Sequence, residues 1–208
     1  ADPSAPLWSA IKGRSADDQR QLTPTLGRVG GAAALAAIHA AIADPATHAL
    51  GVASLCNWPD GGVAGDLLAI ARTDADPNLQ RLALRSLIRI APLPDGRSDR
   101  RRLDLLRTTI AMCDADTETS LALERAKAIR SIDTLRFVLP FMDDPRFAEL
   151  ACLTVVELAH HSGLRESHRE EFHRSLDRVI AVAKDPTTVD RAQRYKKGQT
   201  WVRPKPAS

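Results

Sequence analysis

The stretch that decides the fold is Asp76 to Ile90, "DPNLQRLALRSLIRI". An aspartate able to cap a helix stands directly before a proline, which is tolerated in the first helical turn and forbids continuation of any helix before it. Counting from Asp76, apolar or small residues fall three, seven, eleven and fourteen positions later, at Leu79, Ala83, Leu87 and Ile90. At about 100° per residue these share one side of a helix, so the segment buries a single stripe. The same dipeptide recurs at Asp44-Pro45, Asp144-Pro145 and Asp185-Pro186, with a degenerate counterpart near Ala115-Asp116. The stripe recurs with it, as Gly51, Leu55 and Trp58 and as Phe147, Ala151, Val155 and Leu158. Before each dipeptide stands another apolar helical pattern, such as "AALAAIHAAIA" or "LDRVIAVAK". The unit is therefore an antiparallel helix pair repeated about every 30 to 40 residues, a period that predicts a solenoid.

Composition agrees with helices. Aromatic residues are scarce at 4% and alanine and leucine carry the apolar content, so strand-type alternation has little to build from. The chain of 208 residues is long enough for one substantial domain or a short repeat array. With 29 Lys and Arg against 26 Asp and Glu the charge nearly balances, which is not the signature of a nucleic-acid binder. Cys56, Cys113 and Cys152 lack metal-ligand spacing and are expected as buried thiols. No apolar run is long enough to cross a bilayer, and the first residues have no signal-peptide pattern.

These features resemble the HEAT-repeat proteins. The matching residues are "TLGRVGG" (Thr25 to Gly31), similar to the end of a repeat's second helix, and the Asp-Pro turns followed by helices with leucine at every third or fourth position. The resemblance implies an all-α fold, a right-handed α-α superhelix of about five helix pairs. It would span 14–198, between an N-terminal tail or linker over 1–13 and a C-terminal tail over 199–208. Glu118 stands where an apolar residue is expected, and Pro140 should kink or shorten its helix. Two long turns, "APLPDGRSD" and "AHHSGLRES", are expected to project from one edge. The stretch from Ser54 to Ile90 is also similar to HEAT modules of bacterial extracytoplasmic proteins that adjoin 3-keto-disaccharide hydrolase-type domains. That implies an extracytoplasmic or periplasmic accessory module with a carbohydrate-active partner domain.

Five, nine and thirteen residues after Asp76 come Arg81, Arg85 and Arg89, opposite the buried stripe. In a stacked helix-pair array the second helices line the concave side, so these arginines are expected on a binding face. The equivalent positions are Ala49, Ala53 and Asn57 in the preceding unit, Ser120, Glu124 and Ala128 in the next, and Glu149, Leu153 and Glu157 beyond it. Arg81, Arg85, Arg89, Asn57, Glu124 and Glu157 are thus the candidate site residues. Two readings stand open: Arg85 pairs with Glu124 as an ordinary surface ion pair, or the arginines hold an acidic peptide, an anionic sugar or a phosphate.

"SDRRRLDLLR" (Ser98 to Arg107) adds a basic helix start without interleaved aromatics, which reads as a solvated face before a nucleic-acid contact. "HHSGLRESHREEFH" (His160 to His173) holds four histidines, but only Glu170 with His173 has helical ligand spacing. No nucleophile elbow, phosphate loop or zinc-protease motif occurs, so no catalytic residue, cofactor or metal is expected. The expected function is a non-catalytic binding or scaffolding module for a protein partner or acidic peptide. The alternatives, each by resemblance, are a HEAT-like alkylpurine glycosylase cradling DNA, for which Asp60 near Trp58 is the one available carboxylate, and an accessory subunit of a chromophore lyase.

Overall fold

The computed structural model describes residues 2–202 and divides the chain into two compact units, Ala1–Gly96 and Arg97–Ser208. The described residues are helices and turns with no strand, so the protein is all-α. The first unit holds α1 (Ala5–Ile11), α2 (Ala16–Val29), α3 (Ala32–Ala43), α4 (His48–Leu55), α5 (Ala64–Thr73) and α6 (Pro77–Ile90). The second holds α7 (Asp99–Ile110), α8 (Asp116–Ala126), α9 (Ile132–Val138), α10 (Ala148–His160), α11 (Ser162–Ser167), α12 (Arg169–Val182) and α13 (Pro186–Lys196).

Within the first unit α3 packs on α4 and α5 on α6, and α4 lies between α2 and α6. Within the second unit α10 packs on both α8 and α13, while α7 neighbours α9 and α12 pairs with α13. The stripe residues occupy these contacts: Leu79, Ala83, Leu87 and Ile90 are buried, as are Gly51, Leu55, Trp58, Phe147, Ala151, Val155 and Leu158. Close approach needs missing side chains. A Cβ on Gly27 of α2 would stand 1.9 Å from the Ser54 carbonyl oxygen, so only glycine lets α2 lie against α4 at this point. Gly30 and Gly31 then end α2 at φ 70° and 99°, a left-handed turn that other residues adopt at a cost.

The Asp-Pro dipeptides do two different jobs. Asp76 caps α6 by accepting from the Asn78 N–H, and Asp185 caps α13 by accepting from the Thr187 and Thr188 N–H groups, each with proline in the first turn. Asp44 and Asp144 instead close the preceding element, and their carboxylates accept from the N–H two residues on, Ala46 and Arg146. There the helix starts later, at His48 and Ala148, because Thr47 and Phe147 occupy the cap position. Pro140, with no N–H to donate, ends α9 at Val138 and the chain continues as a 3-10 turn over Leu139–Asp143.

Two expectations about loose segments are corrected. Within 1–13, Ala5–Ile11 fold as α1, which buries Ile11. Gly31 caps α3 without a side chain, and Asp2 and Ser4 supply the missing acceptors, at 2.7 Å from the Ala33 N–H and 3.0 Å from the Ala34 N–H. These bonds, with that from Ala33 foremost, hold the Asp2 carboxyl below its ordinary range. The long turn after α10 is also not a plain loop: it folds as α11, and Arg165 is buried with its Nη1 donating to the Ala159 carbonyl at 2.7 Å. Of the expected C-terminal tail, 199–202 include Trp201, whose ring lies 4.9 Å from the Arg191 guanidinium, and 203–208 lie outside the described residues.

Candidate functional site

The arginine ridge is built by α6. Its apolar stripe fixes the rotation of the helix, and Arg81 and Arg85 emerge exposed on the other side. Arg89 does not join them as expected. It is half-buried, and its Nη2 donates to the carbonyl oxygens of Cys56 at 2.9 Å and Trp58 at 2.6 Å. The last turn of a helix leaves carbonyls without partners, and a guanidinium meets both their hydrogen-bonding need and the negative end of the helix dipole. Arg89 therefore holds α6 against the end of α4. Asn57 sits between its two acceptors, half-buried, with its Nδ2 donating back to the Ala53 carbonyl at 3.2 Å. Burial raises the pKa of the neighbouring Cys56 thiol, only partly offset by Ser86 and Arg89.

In the second unit Glu124 is exposed on α8, 3.9 Å from Lys127, an ordinary surface pair. Glu157 has a stronger role. Its Oε1 accepts from Arg191 Nη1 at 2.7 Å, and Arg191 on α13 is only 8% exposed. The guanidinium lies 5.8 Å from the Tyr195 ring and 4.9 Å from the Trp201 ring, and Arg165 stands 5.5 Å from Tyr195 as well. The Tyr195 hydroxyl is 2.9 Å from His160 Nδ1. Burial alone would lower the pKa of Arg191, but its bonds to Glu157 and Tyr195 outweigh that and raise it. A groove of about 660 Å³ runs along this ladder, lined by Leu153, Glu157, His160, Thr188, Arg191 and Trp201 among others.

Arg191 escaped the sequence reading, although a signal existed. Six residues after the aspartate, three repeats carry leucine, at Leu50, Leu82 and Leu150, and the fourth carries Arg191. The remaining candidates have local roles. Asp60 accepts from the Gly62 N–H at 2.8 Å and Trp58 is core, so the pair is turn and packing. Among the described residues no three His, Cys, Asp or Glu side chains are grouped as a metal site, and no helix is long and apolar enough to cross a membrane. Cys56 and Cys152 are buried, whereas Cys113 is half-buried, contrary to expectation. Burial, with nearby carboxylates adding to it, pushes the Cys113 and Cys152 thiols up to about 11. Comparison with known proteins found no matching family, curated protein or solved structure.

Proposed function

We propose that the chain is a non-catalytic binding module made of HEAT-like helix pairs, and that the outer face of α4 and α6 holds an acidic segment of a protein partner. Support for the repeat reading comes from the succession of second helices inside each unit, α2, α4 and α6 in one and α8, α10 and α13 in the other. Neighbouring repeats that each bury one stripe against the next are how such arrays are stabilised.

One observation carries the binding reading: Arg89 spans Asn57, bonding the carbonyls on either side of it. It fastens α6 to the end of α4, and on these two helices Arg81, Arg85 and Ala49 are exposed and Ala53 is half-buried. A floor of alanine beside two exposed arginines lets a partner backbone come close while its carboxylates meet guanidinium groups, which can bind them in bidentate fashion.

The test is a fluorescence-anisotropy titration with a fluorescein-labelled oligoglutamate peptide, alongside a labelled DNA duplex. Saturable peptide binding is expected at low salt, weakened by about 1–2 kcal/mol, a factor of roughly 5–30, for each of Arg81→Glu and Arg85→Glu. Duplex binding that is tighter than peptide binding and falls steeply with salt would instead favour a nucleic-acid reading. Absence of both, or binding insensitive to the two substitutions, removes the proposed face.

A further inference from the structure

The α3/α4 and α5/α6 pairs of the first unit are joined along their α3 and α5 side by two histidine–aspartate contacts, His39 to Asp66 at 3.1 Å and His48 to Asp74 at 2.9 Å. The second has an unusual chemistry. His48 opens α4, and its two ring nitrogens both face oxygen: Nδ1 is 2.7 Å from the Ile42 carbonyl at the end of α3, and Nε2 is 2.9 Å from Asp74 Oδ2. A carbonyl and a carboxylate only accept, so both contacts are hydrogen bonds only when both nitrogens carry a proton. That form is the imidazolium. In the neutral ring one nitrogen presents its lone pair to an oxygen lone pair, and one of the two bonds becomes a repulsion.

We propose that His48 is a proton-operated clasp, tying the end of α3 to the end of α5 as the imidazolium and releasing one of them when the proton leaves. The surroundings are arranged for this. Asp74 is the cap residue at the end of α5; its side chain is only 4% exposed, and its other oxygen accepts from the Asp76 N–H at 2.9 Å. It is therefore held in place to receive the histidine. On the other side Thr47 Oγ1 donates to the Ala41 carbonyl at 2.9 Å, so Thr47 and His48 together cover the last turn of α3.

The charged groups on the neighbouring elements are as follows. Asp44 at the end of α3 takes the Ala46 N–H, Arg72 is in the last turn of α5, Asp76 caps α6, and Arg20 of α2 borders the cleft shared with Asp44 and Thr47. Asp74 is the charge in direct contact with the ring, and the carbonyl end of α3 adds negative potential. An open surface depression of about 420 Å³, lined by His48, Ala69, Ile70, Thr73, Asp74, Ala75 and Asp76, includes the contact in its wall. Release of His48 widens this depression at the edge between α3 and α5.

The pKa of His48 is raised, first by its bond to the Ile42 carbonyl and then by Asp74. Asp74 is lowered in turn: burial acts against ionisation, and the Asp76 N–H and His48 overcome it. Because the folded His48 pKa lies above its unfolded one, the clasp is fully effective below the ordinary histidine value near ~6.5 and is lost as pH rises through the raised value. Each unit of elevation corresponds to about a tenfold loss in the closing equilibrium between the two limits.

The test uses NMR of the full chain, with the His48 signal assigned by its loss in His48→Gln and with His39→Gln as a control. At pH 6 both His48 ring nitrogens should be protonated, the titration midpoint should lie above ~6.5, and Asp74→Asn should move it down. Amide exchange of Gly51 and Asp76, corrected for intrinsic rate and normalised to Ala151 in α10, should accelerate as pH passes the midpoint, and should stay level in His48→Gln. A His48 ring with one bare nitrogen at pH 6, a midpoint at or below ~6.5, or exchange that responds to pH equally in His48→Gln would each overturn the clasp. The first two readings are made on the unmodified protein, where through-bond correlation from the backbone also assigns the His48 ring, so a variant that fails to fold does not block the decision.

Discussion

Arg89 shows at the scale of one residue how a periodic position differs from an environment. By count it belongs with Arg81 and Arg85, and the three guanidinium groups read as a single stripe. In the structure it is a fastener, placed where α4 ends and two carbonyls need donors. Replacing it with methionine keeps the length and apolar stem but leaves both carbonyls without that donor. Arg89→Met is therefore expected to lower stability by about 1.5–3 kcal/mol, with Arg89→Lys in between, measured by urea unfolding. Peptide affinity should change less than it does for Arg81→Glu. Glu157 was found in the sequence by the same count, and its partner Arg191 was not, because the pairing joins residues 34 apart in the chain. No local pattern announces a contact of that kind.

At the scale of elements the sequence was most informative about which residues are buried and least about where helices begin. Every stripe position named from the spacing is buried, since one face of a helix must leave water for the array to be stable. The Asp-Pro signal was ambiguous because an aspartate can accept from the backbone N–H two residues on in a turn as well as in a helix cap. Which of these occurs depends on how the preceding helix is packed. The two uses are separable by experiment. Asp76→Ala is expected to cost about 1 kcal/mol through loss of a helix cap, and Asp44→Ala no more than about 0.5 kcal/mol, both read as shifts of the urea midpoint at constant slope. Equal losses would mean that the turn at Asp44 stabilises the protein as much as the cap at Asp76.

At the scale of the molecule, closeness of helices decides stability, and Gly27 marks the tightest approach. A methyl group there has no room against the Ser54 carbonyl, which belongs to rigid helical backbone. Gly27→Ala should thus push α2 off α4 and lower stability by about 1–3 kcal/mol, despite alanine's better helix propensity. Trp58, buried in the same unit at 6% exposure, is the probe. With Trp8 and Trp201 replaced by phenylalanine, its fluorescence should report an earlier unfolding transition in the glycine variant. An unchanged or later midpoint would show that α2 can move aside freely.

By itself the sequence determined that this chain is helical, which side of α4, α6 and α10 is buried, and where prolines and paired glycines interrupt it. These follow from local rules, namely the 3.6-residue turn, the missing proline N–H and the freedom of glycine at positive φ. The tertiary structure alone decided that residues 2–11 cap and cover α3, that Arg89 serves a helix end, and that His48 faces two acceptors at once. Each of these depends on oxygens and N–H groups brought together from segments far apart in the chain, and proximity of that sort exists only after the helices have packed.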